Sequence, residues 1–159
     1  MKRLVLVLGI VSLGFFVLTS LSFAQHSHGG APKGETMKMD TKEVIAEGVK
    51  VIFQIMANEE HQKMLKDMKM KEEVEAGTTH NITATLKDEK TQKEIPDAQF
   101  NAKVIDPKGK DQIKPMKYEK TMKSYDAYFK LSEKGKYQVM VLFKIGDQKR
   151  TAGIYYDLK

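Results

Sequence analysis

The chain has no cysteine and no tryptophan, and only four of its 159 residues are proline. Without thiols there is no disulfide framework, no Cys-x-x-Cys zinc or redox site, no cysteine nucleophile and no lipid-modified N-terminal cysteine. Stability must then come from burial alone. Also missing are a Gly-rich phosphate cradle, a His-Glu-x-x-His motif and a serine in a nucleophile elbow. Paired acids such as Glu72 and Glu73 belong to a solvated run rather than to general acid–base chemistry. The expectation is a protein that is not an enzyme. Nor do the basic residues form a block: 27 Lys and Arg are interleaved with 21 acids, as in KDEKTQKE and DPKGKD, for a net charge of +6. Such mixing solvates a surface and guards strand edges, and it argues against nucleic acid as a partner.

The one long apolar run stands at the start. Lys2 and Arg3 precede an unbroken stretch from Leu4 to Leu18, and Ser22 and Ala24 supply the small residues that a signal peptidase reads. Residues 1–24 are therefore expected to be a signal peptide, with a periplasmic or secreted product beginning at Gln25. An uncleaved anchor is the alternative, since the run is nearly long enough to span a bilayer, and it is the only tie to a membrane. Removing the signal leaves enough chain for one domain and too little for two comfortable ones. Residues 25–40, QHSHGGAPKGETMKMD, are aperiodic and rich in Gly and polar residues, as a flexible tail would be. His26, His28, Met37 and Met39 lie in it, each pair spaced i and i+2. The tail is either a solubilising leader or a metal-gathering arm whose ligands meet around an ion. A site built on the amine of an N-terminal histidine is excluded, because Gln25 precedes His26.

Over residues 41–159 the hydrophobic period becomes 2. Lys42–Ala46, the pair Glu47-Gly48, and Val49–Met56 have the form of a two-residue hairpin. The alternation returns at Ile82–Leu86, Phe100–Val104, Tyr125–Leu131, Tyr137–Phe143 and Thr151–Leu158, and IPDA, DPKG, SEKG and IGD supply turns between runs. Lys114–Lys123 is either an edge strand or an irregular crossing, because Pro115 interrupts it. About seven short antiparallel strands with one alternating core face define an all-β, immunoglobulin-like sandwich, with one short helix after the second strand. Tyr137 opens its strand directly after a Gly-containing corner, the place of a tyrosine corner in such folds.

KTQKEIPDA, VIDPKGK and LSEKGKYQVMVLF carry a resemblance to the small exported immunoglobulin-like domains called YtkA-like, neighbours of the CopC-like copper-resistance sandwiches. It covers roughly residues 78–158. The resemblance implies a sandwich engaged in periplasmic metal or redox homeostasis, and it carries over no ligand residue. Members often begin the penultimate strand with Trp, where this chain has Tyr137.

The chemistry-bearing stretch is Met56–His80, which gathers Met56, His61, Met64, Met68, Met70 and His80. Thioether and imidazole are soft and borderline ligands that suit copper and survive where thiols would oxidise. With Asn58 as N-cap and Glu59–Met70 helical, His61, Met64, Leu65 and Met68 share one face while Met70 falls to the side. His80 has the parity of Ile82 and Ala84, so its imidazole points toward one end of the sandwich. A trigonal or tetrahedral Cu(I) site from His61, Met64, Met68 and His80, with Met56, Met70, His26 and His28 as further candidates, is the expectation. Zinc fits less well, lacking Cys-x-x-Cys and close helical His spacing. Against this, Val49–Met56 is apolar on both faces, and Met64, Leu65 and Met68 would serve equally as a lid over it. The partner expected is a metal ion, with an envelope protein that receives or supplies copper. The alternative is a docking module that uses its helix or a sheet edge.

Overall fold

Glu47 and Gly48 both take positive φ, 49° and 78°. That is the type I′ condition for a two-residue hairpin, and they join β1 (Asp40–Ala46) to β2 (Val49–Ala57) in the expected register. The computed structural model describes residues 39–159; the expected signal peptide and most of the tail, with His26, His28 and Met37, lie outside them. A helix, α1 (Asn58–Asp67), follows β2, and the remaining strands are β3 (His80–Asp88), β4 (Gln99–Ile105), β5 (Asp111–Pro115), β6 (Lys117–Glu119), β7 (Ser124–Phe129), β8 (Gly135–Ile145) and β9 (Gln148–Leu158). They form two sheets, ordered β1-β2-β3-β7-β6 and β5-β4-β8-β9, in which each adjacent pair is antiparallel. The inward-facing alternate residues, among them Phe53, Ile82, Leu86 and Phe129 from one sheet and Phe100, Val139 and Phe143 from the other, make a single core. The described residues form the β-sandwich expected, with nine strands in place of about seven.

The two extra strands flank Pro115: β6 lies within Lys114–Lys123, whereas β5 begins at Asp111, ahead of that segment. Proline cannot donate to a ladder, so it closes the edge strand β5 opposite Asn101. The next residue, Met116, donates its N–H to Phe100 O at 2.9 Å and buries its side chain, and the chain then enters the other sheet as β6.

Tyr137 is a tyrosine corner. Fully buried, its hydroxyl accepts from Glu133 N–H at 2.9 Å and donates to Glu133 C=O at 2.8 Å. Tyr125 makes a second closure of the same kind, accepting from Ala98 N–H and donating to Ile95 C=O, both at 2.9 Å. Tyr137→Phe leaves a backbone donor and acceptor without their partner and should lower stability by about 1–2 kcal/mol, read as a lower urea midpoint at constant m. An unchanged midpoint would show that the corner is held by other contacts.

The helix departs from expectation at both ends. Asn58 is not the N-cap: Ala57 holds that place without a side-chain cap, and Asn58 sends its amide to Thr78 Oγ1 at 3.0 Å and its backbone N–H to Thr79 O at 2.9 Å. The helix stops at Asp67 rather than Met70. Lys69 turns left-handed (φ 57°), with Lys69 N–H bonded to Lys66 O and Met70 N–H to Leu65 O, a Schellman ending.

As a lid, α1 lies on the outer face of the first sheet, where register places Met56, Asn81 and Tyr128 in one row. It buries His61 and Leu65 there, leaves Met64 half-buried, and leaves Met68 43% exposed. The outer face of β8 has no such cover among the described residues: Met140 is half-buried and Leu142 exposed.

Candidate metal centre

Strand alternation separates the two imidazoles. His80 stands in the row Ala57–His80–Phe129, on the core side of the first sheet at its end, as its parity requires. His61 meets Tyr128, which belongs to the opposite face. The expected set of His61, Met64, Met68 and His80 is therefore not assembled, because β3 stands between its two histidines. Among the described residues, no three His, Asp or Glu side chains converge on a point fit for a metal ion.

His80 does line a hollow at that end of the sandwich, of about 650 Å³, together with Met39, Met56, Glu59, Glu60 and Tyr156. The His80 ring meets Tyr156 edge-on, with centroids 6.2 Å apart. Its Nδ1 lies 2.9 Å from Thr79 Oγ1, which accepts Leu131 N–H at 2.8 Å and has Leu131 O at 3.2 Å for its own proton. With the Thr79 proton directed to Leu131 O, the hydroxyl's second lone pair takes an Nδ1–H donor, and that tautomer carries the free lone pair of the ring on Nε2. Burial lowers the imidazole's pKa and keeps it neutral. A neutral imidazole whose other nitrogen is fixed by an oxygen is the usual form of a metal-binding histidine. Of the remaining candidates, Met56 borders this hollow, but its register partner Asn81 puts its side chain on the face opposite His80, under α1; Met64, Met68 and Met70 do not line it.

The second cluster was not foreseen. Tyr128 Oη donates to Glu72 Oε1 at 2.9 Å and lies 3.0 Å from His61 Nδ1, so the His61 proton sits on Nδ1 and its buried Nε2 has no partner among the described residues. Glu72 and Asp126 line one groove, and Asp126 accepts from Asn81 Nδ2 at 3.4 Å. Burial first, then the Glu72 charge, push Asp126 up to about 7. Tyr128 is raised by burial and by its bond to Glu72, while His61 is lowered by burial against a smaller opposing pull from Glu72. In the sequence, Asp126 is an ordinary outward residue of an alternating strand. Nothing in the aperiodic stretch around Glu72 signals that it folds back onto it.

Fold and site thus define an all-β sandwich with a His/Met-lined hollow at one end. No protein family and no curated protein matches the sequence. The chain is similar in structure to FetP of uropathogenic Escherichia coli strain F11, as isolated after recombinant expression in the periplasm of E. coli BL21(DE3): TM-score 0.57, 9% identity, 76% of this chain and 95% of that one. A copper-bound variant of the same FetP gives a TM-score of 0.55 at 9% identity, over 76% of this chain and 97% of that one. At such identity the likeness is one of fold.

Proposed function

We propose that this is an exported metal-binding protein that holds a soft ion, copper as Cu(I), in the His80 hollow for trafficking in the cell envelope. The observation that carries the reading is the Thr79–His80 pair, which leaves a neutral imidazole with its lone pair on Nε2 in a hollow that Met39 also lines. The acids in its lining, Asp40, Glu59, Glu60 and Asp157 against the single lysine Lys159, favour the approach of a cation. The copper bound to the FetP variant, a sandwich of similar fold, supports the choice of metal. An envelope protein would supply or receive the ion.

The test is titration of the full mature chain with Ag(I) or Cu(I), and separately with Zn(II). One soft ion should bind in preference to zinc. His80→Ala should weaken it by about 100-fold and Thr79→Val, which removes the hydroxyl that orients the ring and also holds Leu131, by about tenfold. Joint replacement of His61, Met64 and Met68 should change it little. Undiminished binding in His80→Ala, or loss confined to the joint variant, would overturn the assignment.

A docking role has its own support, from the second sheet rather than the helix, whose apolar residues are spent on β2 and β3. Ile113, Leu142 and Tyr155 on its outer face are 65%, 47% and 58% exposed.

A further inference from the structure

The connection between α1 and β3 is held in an unusual way. Among the described residues, no backbone hydrogen bond ties residues 71–77 to either sheet. Side chains do it instead: Glu75 pairs with Lys114 at 2.7 Å in a partly exposed ion pair, and Glu72 reaches inward to Tyr128 and Asp126. Tyr128, which bonds Glu72, stands two residues from Asp126 on the same face of β7, so the two carboxyl groups meet in one groove, where a shared proton relieves their repulsion. Asn81, fully buried, supplies Nδ2 to Asp126 and keeps an unpartnered Oδ1.

We propose that the Glu72–Asp126 pair is a proton-operated latch, which with one shared proton pins the α1–β3 connection to the first sheet and on losing it to solvent lets that connection lift.

The surroundings support this. From β7 and α1 the groups facing the pair are the Tyr128 hydroxyl and, behind it, neutral His61. From β6, Glu119 adds negative charge, and Lys117 is the register partner of Asp126. Glu73 and Glu75 of the connection and Lys114 of β5 complete a groove of about 620 Å³, over which carboxylates outnumber lysines. A second negative charge on the pair is therefore opposed by burial and by its neighbours alike. The Asp126 pKa, pushed up to about 7, places the transition near neutrality.

The absence of cysteine makes a clean experiment available: one cysteine introduced at exposed Ala76 can carry a nitroxide label in the full mature chain. The label should be immobile at pH 5.5 and mobile at pH 8.5, with a midpoint near pH 7. Adding Asp126→Asn, or Glu72→Gln in a separate chain, should abolish that dependence. A label at exposed Thr151 of β9 reports on the rest of the fold. Equal mobility of the Ala76 label at both pH values, an unaltered transition in both variants, or a Thr151 label that loosens in step would each overturn the latch.

Discussion

Phe100→Ala should lower the free energy of unfolding by about 3–5 kcal/mol, the largest stability loss expected here from a single side chain. Phe100 is buried between two other rings: Tyr125 stacks on it at 4.6 Å and 11°, and Phe143 at 5.7 Å and 14°. Tyr125 belongs to one sheet, while Phe100 and Phe143 belong to the other. The stack therefore joins the layers, in a chain with no disulfide to do so. Alanine would remove both stacking contacts and leave a cavity bounded by rings that register holds in place. Tyr125 is further fixed by its bonds to Ala98 and Ile95, so the site has little freedom to collapse. Domains of this kind have about 5–15 kcal/mol of total stability, so the variant should sit close to its unfolding threshold. Urea unfolding followed by far-UV circular dichroism would measure it, with a lower midpoint at constant m. A loss under about 1.5 kcal/mol would mean that neighbours fill the space and that the layers are joined elsewhere.

The parts of this architecture legible in the sequence are those governed by short-range periodicity. Two-residue alternation places Val51, Phe53, Ile82, Ala84, Tyr137 and Val139 inside, and Glu47-Gly48 specifies a hairpin turn whose positive φ angles the structure shows. The tyrosine corner was legible for the same reason: Tyr137 and Glu133 are four residues apart, and the fold class predicts the bond. Long-range pairing was not. The sequence put His61 and His80 on one rim because helical and strand periods each fix a face, but neither says which side of β3 the helix covers. That is settled by the apolar row beneath it, where Met56 and Tyr128 need cover that His61 and Leu65 provide. The Tyr125 closure spans 27 to 30 residues and the Glu72–Tyr128 bond 56, separations at which no periodic pattern survives. Thr79 escaped notice for a different reason. Its role depends on counting lone pairs at one hydroxyl, which requires coordinates.

The stability of the wild type relative to Asp126→Asn should fall by about 2–3 kcal/mol between pH 4 and pH 8. The free carboxyl titrates near 3.9, and in the folded protein Asp126 is pushed up to about 7 by burial and by Glu72. A group that holds its proton more tightly when folded contributes stability that is complete below its unfolded value and is lost as pH rises through the folded one. Linkage over that interval would give about 4 kcal/mol, and partial solvent access to the site reduces it. The amide keeps a neutral donor toward Glu72 at every pH, so the variant lacks this loss and should gain on the wild type steadily from about pH 4 to pH 7. The two histidines work in the opposite sense. Burial lowers both, so they favour the fold above about pH 6.5 and withdraw that support as pH falls. The wild-type profile should consequently pass through a maximum, and only the difference between wild type and variant isolates the carboxyl pair. Urea midpoints at unit intervals from pH 4 to pH 8 would measure it. A difference that stays constant over that range would mean that Glu72 and Asp126 share no proton, and the two-carboxyl account of the α1–β3 connection would fall with it.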